Sequence, residues 1–152
     1  MINPTNRKSV KIKLYIFAIV AAMLTMSSCD KKDCNGDLDG MWQLTEWRDA
    51  DNVVKATKQD MIFYSFQLQM SSFRRENDTP FFIRALLKVS PDRITIYNPF
   101  EYVGDKHDEV RPMSILSSVG VPEDGIFWIE SLTNSSMLLR TNEGSRLTFR
   151  KY

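Results

Sequence analysis

Two cysteines and one histidine in 152 residues leave little material for several kinds of chemistry. Cys34 lies five residues from Cys29 among Asp and Lys and reads as a linker residue, so no stabilising disulfide is expected and the fold must rest on its apolar core. Any Ser-His-Asp or Cys-His nucleophile system would have to use His107, and there is no G-x-S-x-G turn to present a serine. None of the six glycines forms a G-x-G, so a phosphate-cradling glycine loop is absent as well. Lys and Arg number 20 against 19 Asp and Glu, a net charge of +1 and no basic footprint for nucleic acid. No apolar run reaches the roughly 20 residues that a membrane-crossing helix needs.

What is present begins with an address. Arg7, Lys8, Lys11 and Lys13 form a basic start with no acidic residue, followed by an apolar run from Leu14 to Met26 and then Ser27-Ser28-Cys29. Basic, apolar and small-residue regions in that order describe a secretory signal. The cysteine directly after the small pair makes the segment resemble a bacterial lipoprotein signal, with Met26 where leucine is usual. That resemblance implies cleavage after residue 28 and a lipid on Cys29, which would hold the protein to a membrane. Asp30-Lys31-Lys32-Asp33 looks like the charged surface-export signals of Bacteroidetes lipoproteins, so a cell-envelope location, in the outer membrane and at its surface, is the expectation. Losing the four basic residues before the cut leaves 16 Lys and Arg against 19 acidic residues, a net charge of −3. The expected organisation is a signal peptide over 1–28, a charged lipid-anchored tether over 29–37 and one domain over 38–152.

Within that domain, short alternating runs are broken by turn residues. The clearest runs from Ile62 to Met70, where Ile62, Tyr64, Phe66, Leu68 and Met70 are expected on one face and Ser65, Gln67 and Gln69, with Phe63, on the other. Trp42 and Leu44 share a face in a first strand. Ile83, Ala85 and Leu87 do so between Phe81 and Val89, with Arg84 and Lys88 opposed. Ile94 with Ile96, Phe127 with Ile129, Met137 with Leu139, and Leu147 with Phe149 continue the pattern, and Val53-Val54 offers one more strand. Pro112 near the start and Gly120 just past the end bound the only helical stretch, a turn or two within 110–119. Seven or eight strands at this spacing predict an all-β antiparallel meander closed into a small barrel, in preference to a sandwich.

Gly40-Met41-Trp42 heads the first strand, and it is similar to the G-x-W signature of lipocalins and related calycins. The ending, Phe127-Trp128-Ile129-Glu130 through Leu147-Thr148-Phe149-Arg150-Lys151-Tyr152, resembles small lipocalin-like lipoproteins of Bacteroidetes. The resemblance spans 38–152. It implies a lipocalin-like barrel whose Trp42 closes one end beneath a basic residue of the last strand, for which Arg146 and Arg150 are the candidates.

Several constellations fit a chemistry by spacing alone. Asn35, Asp37, Asp39, Gly40 and Glu46 match the EF-hand calcium loop, but Trp42 and Leu44 put its second half in a strand. His107 lies among Asp105, Asp108 and Glu109, a setting more often solvated than metal-binding. Glu46 and Glu130 are acidic residues within apolar strands, read as outward-facing. No metal, cofactor or catalytic residue is therefore expected, and the chain is not read as an enzyme.

Two functions remain open. In the first, the lipid-anchored barrel holds a small apolar or amphipathic ligand in a cavity walled by Trp42, Tyr64, Phe66 and Leu68. In the second, a filled core supports a protein-interaction module that docks on an envelope protein complex through an exposed patch around Phe82 or Trp128.

Overall fold

Strict alternation makes every second side chain of a strand apolar, and such strands are stable only when those faces are buried together. The computed structural model describes residues 35–77, 81–101 and 108–152, and there the alternating runs are strands of one antiparallel sheet. They are β1 (Gly40–Arg48), β2 (Val54–Thr57), β3 (Ile62–Gln67), β4 (Met70–Arg75) and β5 (Phe81–Ser90), followed by β6 (Arg93–Glu101), β7 (Glu109–Val110), β8 (Ile126–Leu132), β9 (Ser136–Thr141) and β10 (Arg146–Lys151). The cleavage site, Cys29, Cys34 and His107 lie outside the described residues.

The sheet closes on itself. Neighbours run β1-β3-β4-β5-β6-β8-β9-β10, and β10 pairs back onto β1, which closes an eight-stranded antiparallel barrel. Closure depends on the length of β1. Its first half pairs with β3, from Gly40 opposite Phe66 to Gln43 opposite Phe63. Beyond a register shift between Leu44 and Glu46, its second half pairs with the short β2, while β10 follows the other side from Trp42 to Arg48. β7 is a second short addition, paired with Phe100 and Glu101 of β6.

The expected inward sets fill the barrel. Trp42, Leu44, Ile62, Tyr64, Phe66, Ile83, Ala85, Leu87, Ile94, Ile96, Phe127, Met137, Leu139, Leu147 and Phe149 are all buried in one cluster. Each large side chain contributes roughly 1.5–3 kcal/mol, and a one-residue slip would turn a whole strand's set outward, so the register is strongly determined.

The run 62–70 differs from its expected form. It is not one strand but a hairpin, in which β3 ends at Gln67, Leu68-Gln69 make a two-residue connection, and β4 begins at Met70. The inward sequence passes from Phe66 to Ser71 and Phe73, both buried. Leu68 and Met70 face solvent, at 54% and 41% exposure, contrary to the inward positions that alternation assigned them. A turn resets parity, because residues across a hairpin connection no longer alternate with the strand before it.

The helical stretch is a 3-10 segment, Met113–Val119, capped by Gly120 in the left-handed region. It buries Leu116 and Val119 near the finish of β1, where Tyr64 Oη donates to the Val119 carbonyl at 2.7 Å. At the start of β1 a shorter 3-10 turn, Gly36–Leu38, buries Leu38, and Trp42 Nε1 donates to its carbonyl at 2.8 Å. Each end of the barrel is thus met by a local segment tied to an interior aromatic ring.

Candidate functional site

Trp42, Tyr64 and Phe66 are brought together in the interior by the β1–β3 ladder, in which Trp42 stands opposite Tyr64. All three are buried, and the fourth expected member, Leu68, is on the outside of the turn. Tyr64 is the hub of this interior. Its ring lies 4.7 Å from Phe73 edge-on, 4.7 Å from Phe149, and 6.3 Å from both Phe66 and Phe127, centroid to centroid. Rings at these separations are in favourable contact with one another. Burial holds the Tyr64 phenol well above the ordinary tyrosine range, so it stays protonated and able to donate to Val119.

The signature at the head of β1 explains its own glycine. Gly40 has φ +116°, and a Cβ there would meet Lys151 Cε at 3.0 Å. The space lets Lys151 bring its ammonium 4.8 Å above the Trp42 ring, where Nζ also donates to the Asp37 carbonyl at 2.8 Å. Lys151 therefore takes the place expected of Arg146 or Arg150. Those two arginines alternate to the other face, where Arg150 donates to Gln43 Oε1 and Arg146 reaches Glu130 at 3.3 Å.

The other spacing-based candidates are committed to partners on the surface. Glu46 pairs with Arg48 at 2.7 Å, and the Arg48 hydrogen bond holds the Glu46 carboxyl below its ordinary range. Asn35 donates to the Asp39 carboxylate at 2.8 Å, leaving Glu46 apart from the residues with which it shared a calcium-loop spacing. Glu130 lies between Arg140 and Arg146. Among the described residues no three His, Cys, Asp or Glu side chains group as a metal site.

Two open grooves lie on the β3–β4–β5 side, and neither is lined by Trp42, Tyr64 or Phe66. The larger, about 710 Å³, sits at the far rim between Arg74, Arg75, Phe81, Phe82, Arg84 and Glu101. Its size falls in the range of small-molecule sites, about 300–1,000 Å³. Its two carboxylates are already committed, Glu76 to Arg74 at 3.0 Å and Glu101 to Arg111 at 2.8 Å. Among the described residues, Arg75 bonds only the Ser118 carbonyl, and Arg84 has no carboxylate at all, lying 5.3 Å over the Phe82 ring. Phe82 itself is 47% exposed. Two guanidinium groups that have no carboxylate partner among the described residues, beside two phenylalanines, can take a carboxylate or phosphate and, next to it, an apolar body. The smaller groove, about 280 Å³, runs past Ser65, Ser72, Leu68 and Met70 to the other side of the same Arg84.

These arginines were not singled out from sequence, because an arginine between apolar strand residues reads as an ordinary solvated position. Only the β4–β5 register, with Arg74 opposite Phe82 and Ser72 opposite Arg84, collects them.

The barrel geometry agrees with relationships across the whole domain. Residues 23–152 match the model of the lipocalin-like domain family. The chain belongs to that family. A lipocalin-like protein from Bacteroides uniformis has a crystal structure similar to this one, at 26% identity and a TM-score of 0.57, covering 77% of this chain and 100% of its own. An uncharacterized protein from Bacteroides eggerthii shares the fold at 24% identity and a TM-score of 0.56, covering 76% of this chain and 99% of its own. No curated protein matches the chain. As a lipocalin-like domain it keeps the G-x-W head of β1 and the cation over the tryptophan, with the aromatic interior around Tyr64 between them.

Proposed function

We propose that this lipocalin-like protein is a non-catalytic binding protein of the bacterial cell envelope, anchored by a lipid on Cys29, that takes an anionic amphipathic ligand in the rim groove rather than at the barrel's centre. The observation that carries this reading is the groove of about 710 Å³ in which, among the described residues, Arg75 and Arg84 have no carboxylate partner beside Phe81 and Phe82. The burial of Trp42, Tyr64 and Phe66, with the aromatic contacts around Tyr64, supports moving recognition outward. The lipoprotein-like signal supports the anchor, and the family match begins at residue 23, ahead of Cys29.

Native mass spectrometry of the full chain, released from detergent before and after organic extraction, tests the ligand. Extra mass that disappears on extraction, and is absent from a Phe82→Ala/Arg75→Gln double variant, is the expected result. A clean mass after incubation with envelope lipid extract refutes it. It would favour the second reading, a module that docks on an envelope protein through exposed Phe82. Labelling with an alkyne palmitate analogue tests the anchor independently: the wild type should take label and Cys29→Ala should not.

A further inference from the structure

The chain enters the described barrel at one fixed place. Asn35 Nδ2 donates to the Leu68 carbonyl at 2.9 Å, and its backbone N–H and side chain both bond the Asp39 carboxylate, at 3.0 and 2.8 Å. The segment arriving from Cys29 is thereby tied to the β3–β4 turn. From Cys29 to Asn35 the chain can reach at most about 20 Å even when fully extended. A lipid on Cys29 would hold this turn, and no other end of the barrel, close to the bilayer.

That turn is built in an unusual way. Leu68 has φ +55° at the first position of a two-residue hairpin connection, where glycine or asparagine is favoured. It is 54% exposed, so burial does not account for its side chain. Met70 beside it is 41% exposed. The same outward row continues through Leu86 to Tyr97, itself 40% exposed. Arg84 also lines the smaller groove, but its guanidinium leans away from this turn, 5.3 Å over the Phe82 ring.

We infer that the Leu68–Met70 turn is a membrane-contacting surface: its apolar side chains enter the headgroup boundary of the bilayer. Tether length and the place where the chain leaves the fold select the same occupant. An apolar tip flanked by an amphipathic aromatic is a composition that interfacial segments use. The contact would orient the barrel with its far rim, and the larger groove, away from the membrane. This inference rests on the Cys29 anchor proposed above, but it makes a separate prediction about which residues touch lipid.

The test uses the acylated full chain in vesicles of phosphatidylglycerol with phosphatidylethanolamine, carrying Cys34→Ser and a polarity-sensitive fluorophore on Leu68→Cys. A Glu143→Cys chain, labelled in the exposed β9–β10 turn at the opposite end, is the reference. Quenching by brominated lipid should be at least threefold stronger at 68 than at 143. It should fall on Met70→Ser, which removes the apolar neighbour of the labelled position. Leu68→Gly should keep or raise the thermal midpoint, since glycine suits the positive φ, which separates a membrane role from a folding one. A chain that floats with the vesicles yet shows equal, water-like signals at 68 and 143 overturns the inference, leaves the anchor intact and points the patch toward a protein partner. A wild-type chain that does not float overturns both. Quenching at 68 that Met70→Ser leaves unchanged overturns the assignment to an apolar tip, and a lowered midpoint for Leu68→Gly makes Leu68 structural.

Discussion

Tyr64→Phe isolates one oxygen atom at the centre of the barrel. The ring is held by Phe73 and Phe149, each 4.7 Å away, and phenylalanine would keep those contacts. The hydroxyl is lost, and with it the 2.7 Å bond to the carbonyl of Val119, a residue with no exposed surface. A buried carbonyl left without a donor costs about 1–3 kcal/mol. The loss at neutral pH should therefore be near 2 kcal/mol, read as a lower urea midpoint with an unchanged slope. A second signature distinguishes this from a packing defect. Burial holds the Tyr64 phenol well above its ordinary value of 10.0, so above pH 10 the unfolded chain releases that proton while the folded chain retains it. The unfolded state then binds fewer protons, and the contribution of Tyr64 to stability, fully present below pH 10, is lost as pH rises toward the folded value. The slope approaches about 1.4 kcal/mol per pH unit for one such group. Wild type should show that decline, and Tyr64→Phe should lack its share, so the two stabilities converge in alkali. Parallel curves between pH 9 and 11, or an unchanged midpoint at pH 7, would refute the reasoning.

Other substitutions probe the frame around this centre. Gly125→Ala places a Cβ 1.9 Å from the Ile96 carbonyl oxygen at φ +66°, so a loss of at least about 3 kcal/mol is expected, and an unchanged thermal midpoint would contradict it. Lys151→Met removes the ammonium 4.8 Å above Trp42; stability should fall by about 1 kcal/mol, with a change in tryptophan emission, and identical emission would refute the contact. Arg48→Gln removes the hydrogen bond that lowers the Glu46 carboxyl. The Glu46 titration, followed by NMR, should move up toward 4.5, and the small stabilisation that wild type loses as pH falls through the lowered value should vanish.

The barrel was largely legible because one rule, alternation, governs most of its strands. Trp42 with Leu44, Ile83 with Ala85 and Leu87, and Leu147 with Phe149 all point inward as patterned, since a half-buried strand admits no other register. Closure was less legible. It rests on β10 pairing with β1 across a register shift between Leu44 and Glu46, and nothing in Leu44-Thr45-Glu46 announces a bulge. The cation over Trp42 is Lys151, not the expected Arg146 or Arg150. The arginines at 146 and 150 share the outward parity of the last strand, and Lys151, directly opposite Trp42, does not.

The candidate surfaces were hardest to read, for a reason that bears on what they do. Leu68-Gln69 contains none of the Gly, Asn, Asp or Pro that ordinarily mark a turn, so alternation carried straight through it and turned an exposed leucine into an expected wall of the cavity. Sequences that fold well satisfy local preference and global structure together, and the exceptions concentrate where another constraint acts. Leu68 is such an exception twice over, with an unfavoured φ and an apolar side chain in water, and neither is repaid by a contact within the core. Asn98, also at positive φ in β6, is by contrast a residue type that tolerates the conformation. Were Leu68 kept for folding alone, glycine would serve the same turn with less strain and less exposed apolar surface. Its presence beside Asn35, where the chain enters the described barrel, is therefore better explained by what lies outside the barrel than by anything within it.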